Sequence, residues 1–154
     1  FLSPENLGAS FDPLLARLGD DTTLAVVDAC DQVRTKVALA AWARDNPVTF
    51  IAVGAAGGKR LAHRVDCADI GLITHDPLVA QMRYQLRRHH GAARTGQMGI
   101  QAVFSRETVS KSMVAGSDTG DLNCHGYGST VAVTASFGMV AAGWCMDQIA
   151  GSPA

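Results

Sequence analysis

The stretch TLAVVDACDQVRTKVAL, residues 23–39, joins a short apolar run to an Ala-rich, charged segment, with two aspartates three residues apart at the junction. Leu24, Val26 and Val27 are typical of a strand buried on both faces. From residue 31 to about 46 the composition turns to Val33, Val37, Ala40, Ala41 and Ala43 without Gly or Pro, which favours a helix. Asp28 and Asp31 therefore fall at the carboxyl end of a buried strand, with Arg34 and Lys36 directly after. Negative charge is costly to keep there unless something requires it.

Working outward, Asn46-Pro47 ends the helix, because the residue before proline avoids helical geometry. VTFIAVG follows as a second buried strand, and GAAGG as a turn of low steric bulk. Strand, helix and strand make one βαβ unit. LAHRVDCADI reads as a strand exposed on one face. Asp76-Pro77 then opens a helix over residues 77–90, with Asp as N-cap and Pro in the first turn. IQAVFS is another strand. Residues 111–129, rich in Gly, Ser and Asp, read as a long loop. Residues 130–149 close the chain as an apolar helix with Phe137, Val140, Trp144 and Ile149 as core candidates. The remainder after the βαβ unit looks antiparallel.

The 154 residues suffice for one domain with a real core. At 47% apolar and 18% charged residues, the chain has the composition of a soluble globular protein. No uninterrupted apolar run reaches the roughly 18 residues that a membrane helix needs. Cys30, Cys67, Cys124 and Cys145 are widely spaced with no C-x-x-C pair, so neither a disulfide framework nor a zinc site is expected, and a reducing, cytoplasmic setting is. The net charge of −1 hides an asymmetry: residues 77–106 hold five arginines and two histidines, while all 14 acidic residues lie elsewhere. That bias suits an anionic partner.

Ligands of open α/β sheets bind outside the carboxyl ends of the strands. A carboxylate at Asp28 or Asp31 can there coordinate magnesium on nucleotide phosphates, with Lys or Arg neutralising the phosphates. The plainer alternative is that both aspartates cap the following helix. Of the two, Asp28 is the better structural candidate and Asp31 the better chemical one. A lysine on such a helix is ordinarily just solvated.

Taken in order, VVDACDQVRTKVAL, VGAAGG, THDPLVAQMRYQLRR, VFSRE and NCHGYGSTVAVTASFG resemble the ubiquitin-activating-enzyme-like superfamily, also described as ThiF, HesA or MoeB. Within it they look most like the tRNA threonylcarbamoyladenosine dehydratase branch. The resemblance covers nearly the whole chain but only the second half of such proteins. It implies an α/β fold, the C-terminal part of a Rossmann-like ThiF/MoeB-type fold, with a mixed sheet and flanking helices. Residues 1–154 would be a single domain, and the N-terminal nucleotide-binding half, with its G-x-G-x-x-G turn, would be missing from this chain.

The activity implied is ATP-dependent adenylation of a carboxylate followed by cyclisation of threonylcarbamoyladenosine in tRNA, with ATP and Mg2+ as cofactors; the fragment alone would be inactive. By resemblance, Asp31 matches the aspartate beside magnesium and the ATP phosphates. Arg34 and Lys36 occupy the basic positions of D-x-V-R-x-K, and Cys124 matches a cysteine seen in the branch. Arg83, Arg87, Arg88 and Arg94 suit tRNA phosphates, although cations at a helix C-terminus are favourable in any case. His125 and Tyr127 flank the glycines and could touch the substrate base, although a histidine on a surface loop ordinarily has no such role. No transition-metal site is expected. The superfamily is usually homodimeric, and the apolar closing helix with Trp144 could serve either as interface or as core.

Two other readings remain open. A binding module would receive sulfur at Cys124 from a cysteine desulfurase, or dock a carrier protein. A dinucleotide-dependent oxidoreductase fragment would share the βαβ unit, and the order of the motifs speaks against it.

Overall fold

A computed structural model describes residues 6–19, 22–108 and 128–151. The elements run α1 (Leu7–Leu15), β1 (Leu24–Asp28), α2 (Val33–Arg44), β2 (Val48–Val53), a 3-10 turn (Ala62–Arg64), β3 (Val65–Asp69), α3 (Pro77–His89), β4 (Gln101–Ser105) and α4 (Val131–Ile149). The four strands form one mixed sheet in the order β1-β2-β4-β3. β1 pairs parallel to β2 with Asp28 opposite Ala52, and β2 pairs parallel to β4. β4 also pairs antiparallel to β3. The parallel part is therefore one strand wider than the sequence suggests, because β4 returns between β2 and β3, a placement that only tertiary packing reveals.

Strand side chains alternate between faces, and the two faces carry separate cores. Phe50, Ala52, Ala102 and Phe104 point toward α2 and α3, where Val37, Ala40, Val79, Met82 and Leu86 meet them. Ile51 and Val103 point the other way, onto Val133, Phe137, Ala141 and Cys145 of α4. Helices on both faces bury the central strands β2 and β4. Each large apolar side chain so buried contributes about 1.5–3 kcal/mol. α1 lies on α2 through the Phe11 and Trp42 rings, 4.9 Å between centroids, and the Trp42 indole N–H donates to Asp12.

Helix α3 starts as its sequence dictates: Asp76 accepts from the Val79 N–H, and Pro77 sits in the first turn. It stops before Gly91, whose φ of 59° is the left-handed geometry glycine allows. In α4, Phe137 is buried, and Val140 and Trp144 pack at the edge of the core, but Ile149 is 53% exposed. The inward stripe runs 133, 137, 141 and 145, and Ile149 lies where that stripe passes beyond the sheet. The outward face of α4 carries Val131, Met139 and Met146, all exposed. Among the described residues no helix is long and apolar enough to cross a membrane.

Candidate functional site

β1 ends on Asp28, and the chain turns through Ala29, Cys30 and Asp31 into α2. Lys36, in the first turns of α2, reaches back beneath this turn. Its ammonium donates to Asp28 Oδ2 at 2.8 Å, to the Asp28 carbonyl at 3.2 Å and to the Cys30 carbonyl at 2.9 Å, so all three protons have acceptors. The other carboxylate oxygen, Oδ1, accepts from the Cys30 amide at 3.1 Å and the Cys30 thiol at 2.7 Å. Both charged side chains of the pair are fully buried. Burial, the hydrogen bond to Asp28 and the Asp28 charge together push the Cys30 thiol up to about 11, with the Lys36 charge opposing. Cys30 thus stays protonated as a donor.

Two sequence expectations are corrected here. The aspartates do not cap α2: Gln32 holds the N-cap position without a side-chain cap bond, and Asp28 is engaged by Lys36 instead. Lys36 is not a solvated surface lysine either. Its carbonyl and carboxylate partners lie where the strand hands over to the helix, and three acceptors offset the loss of water around the ammonium.

That closed junction leaves Asp31 outside. Asp31 is exposed, and among the described residues its carboxylate makes no hydrogen bond or ion pair. Arg34, also exposed, stands in the first turn of α2 on the wall of a groove of about 500 Å³ between α2 and α3, with Val37, Gln85, His89 and His90. A second cavity, about 290 Å³, opens at the opposite, amino ends of β2 and β4, away from Asp31.

The next strand end belongs to β2. Its Gly54 packs so closely under α3 that a Cβ there would collide with Asp76 Oδ2 and crowd the Val103 carbonyl. Asp76 divides its carboxylate, Oδ1 to the Val79 amide and Oδ2 to the Ala55 amide at 2.9 Å. Lys59, in the turn that follows, is fully buried and donates to the carbonyls of Ser105 and His75. Sequence reading passes over Lys59, since its partners lie 16 and 46 residues further along the chain.

The basic helix end is divided. Arg83 is half-buried and its guanidinium donates to the Ile70 and Ile73 carbonyls at 2.9 and 2.8 Å. Arg87 Nε donates to the Ala93 carbonyl. Arg88 is exposed, bonded to the Tyr84 hydroxyl and stacked over its ring, and Arg94 is exposed. Cys124, His125, Tyr127 and most of the long glycine-rich segment lie outside the described residues. Of the described thiols, Cys67 is also pushed up to about 11, by burial first and then by Asp66 and Cys145.

A sheet of this topology, with an exposed carboxylate and an arginine after the first parallel strand, defines an α/β protein of the class that ordinarily binds ligands outside the carboxyl ends of its strands. No established protein-family profile matches the chain. Individual proteins do. It is 31% identical over 158 residues to the tRNA threonylcarbamoyladenosine dehydratase of Haemophilus influenzae, covering 97% of this chain and 56% of that protein. It is likewise 31% identical over 136 residues to the Escherichia coli enzyme of the same name, covering 80% of this chain and 51% of that one.

Among solved structures, the E. coli dehydratase TcdA in complex with AMP superposes with a TM-score of 0.77 at 29% identity, covering 98% of this chain and 55% of that one. The same enzyme in complex with ATP gives 0.76 at 28%, covering 98% and 54%. The chain is homologous to these tRNA threonylcarbamoyladenosine dehydratases, and it spans about half the length of the curated relatives it matches.

Proposed function

We propose that this chain forms the C-terminal half of a ThiF-type adenylating enzyme that cyclises threonylcarbamoyladenosine in tRNA at the expense of ATP, a ligase-type reaction. The observation that carries this reading is the exposed Asp31 carboxylate, at the carboxyl end of the first parallel strand of a chain homologous to a dehydratase solved with ATP and with AMP. ATP supplies the leaving group: AMP departs readily from an acyl carbon where a carboxylate oxygen would not. In this reading Asp31 would hold magnesium, which would offset charge on the nucleotide phosphates, and Arg34 would bind the phosphates directly. The donor set fits a hydrated magnesium brought in with the nucleotide, because one free carboxylate suits an ion that keeps waters and phosphate oxygens as its other ligands. Among the described residues no cluster of His, Cys, Asp and Glu could hold a metal by itself.

Lys36 contributes indirectly, by closing the turn from which Asp31 projects. Arg88 and Arg94, on the surface, are the positions that suit tRNA phosphates best, with Arg87 behind them and Arg83 committed to the fold. The rest of the relatives' length would supply the remaining nucleotide contacts, so the 154 residues alone would be inactive. The exposed Val131, Met139 and Met146 on the outward face of α4 support a homodimer, since apolar surface of that size ordinarily finds cover. A cytoplasmic location follows from the use of ATP and tRNA.

Asp31→Ala tests the reading. Cyclisation of threonylcarbamoyladenosine should fall by about 100-fold or more in kcat/KM, while stability stays within about 0.5 kcal/mol because the side chain is exposed. Undiminished ATP-dependent cyclisation in that variant would remove Asp31 from the site.

A further inference from the structure

Lys59 is completely buried, yet among the described residues it has no ion pair of the kind that Lys36 has. Its ammonium rests on two backbone carbonyls, Ser105 at 3.2 Å and His75 at 3.4 Å, both longer than charge-assisted bonds usually are. Two carboxylates face it, Asp76 from the start of α3 and Glu107 from beyond β4, but both are occupied by amides: Asp76 by Val79 and Ala55, Glu107 by Arg60 and Leu61. Burial holds the Lys59 pKa below the ordinary lysine range, with Asp76 and Glu107 opposing it. A buried cation so incompletely compensated keeps a field that reaches its surroundings.

One of its two acceptors belongs to an unusual residue. His75 has φ 65°, and among the described residues it alone is a non-glycine with positive φ. A histidine adopts that geometry only where its neighbours over-determine it, and such residues gather at ligand sites. Here the determinants are visible: the Lys59 ammonium on the His75 carbonyl, the doubly bonded Asp76 carboxylate directly after, and Thr74 Oγ1 at 2.8 Å from the ring Nδ1. The imidazole is left exposed at the rim, next to the end of β2 and one strand removed from Asp31.

We propose that Lys59 is a positioning residue that holds His75 in its left-handed conformation, so that the imidazole meets the carboxylate-bearing substrate at the rim of the carboxyl-end crevice. This rests on the adenylation reading above, which puts ATP at the β1 end; the adjoining β2 and β4 ends then fall to the carboxylate of the second substrate. An imidazole donor backed by a buried cation favours an anionic oxygen, and the carboxylate to be activated provides one.

The test compares Lys59→Met, Lys59→Gln, Lys59→Arg and His75→Asn in the protein as the cell makes it; Asn tolerates left-handed geometry but lacks the ring. Lys59→Met and His75→Asn should each raise KM for the tRNA substrate about tenfold, leave KM for ATP within about twofold, and combine without further loss. Lys59→Arg should recover most of the effect and Lys59→Gln only part of it. Additive effects, equal rises in both KM values, or wild-type kinetics in a folded Lys59→Gln would overturn the proposal. A second readout is independent of turnover. The His75 ring resonances should shift in Lys59→Met, and amides 74–79 should exchange faster. If the wild-type protein shows no cyclisation, the adenylation reading fails and this readout decides the role of Lys59; unchanged resonances and exchange would end it.

Discussion

Lys36 and Lys59 are both fully buried and both lie at the carboxyl end of the sheet, but they are neutralised differently. Lys36 meets a carboxylate at 2.8 Å and two carbonyls, within a turn closed on itself. Among the described residues Lys59 meets two carbonyls only, while the nearby Asp76 and Glu107 serve backbone amides. The first arrangement is electrostatically quiet and fixes local shape. The second leaves a buried charge with no carboxylate bonded to it among the described residues. Adjacent strand ends can thus use the same residue type for opposite purposes, one to seal a junction and one to load it.

The comparison breaks most visibly at the paired lysine. Lys36→Met should cost about 3–5 kcal/mol, because it strands a buried carboxylate. Asp28→Asn combined with Lys36→Met should recover much of that loss in urea denaturation. A loss below about 1 kcal/mol for the single variant would show the Asp28 charge to be well solvated after all.

A smaller effect sharpens the same side. Cys30→Ala removes the thiol that donates to Asp28 Oδ1 and should cost about 1 kcal/mol, the size of one hydrogen bond. Its amide bond to the same oxygen remains. Alkylation of Cys30 in the native protein should be slow until well into the alkaline range, as a thiol held near 11 requires.

The mildest effect is a slope rather than a loss. The Lys59 pKa is lower folded than unfolded, so the cost of burying its charge is fully present below the folded pKa. That cost is relieved as pH rises through the folded pKa toward the ordinary lysine value. Wild-type stability should therefore gain, relative to Lys59→Met, across the alkaline range. Parallel stability–pH curves for the two proteins would place Lys59 in a solvated setting.

Much of this was legible from local chemistry. β1, α2 and β2 follow from an apolar run, an alanine-rich segment and Pro47, and α3 from the Asp76-Pro77 start and Gly91. The burial of Lys36 had a faint signal, because positions 36, 40 and 43 share the inward stripe of α2. Charge outweighed periodicity in that reading. Helix α1 was not legible, since Gly8 and Pro13 both depress helix propensity and its packing on Trp42 decides the outcome. The parallel placement of β4 and the convergence of Lys59, His75 and Ser105 depend on contacts between distant segments. No window of sequence contains them. Asp31 was legible as an acid at the end of a strand, while its exposure and the closed turn behind it were not.

The divided carboxylate of Asp76 carries a mechanical consequence. One oxygen is fastened to the first turn of α3 and the other to the turn after β2, with Gly54 pressed against it. The thirteen residues of α3 make a rod about 20 Å long, with arginines at its far end. Asp76 thus rivets the start of that rod to the turn after β2, so the near end of α3 and the β2 strand end share one anchor rather than depending on the chain between them.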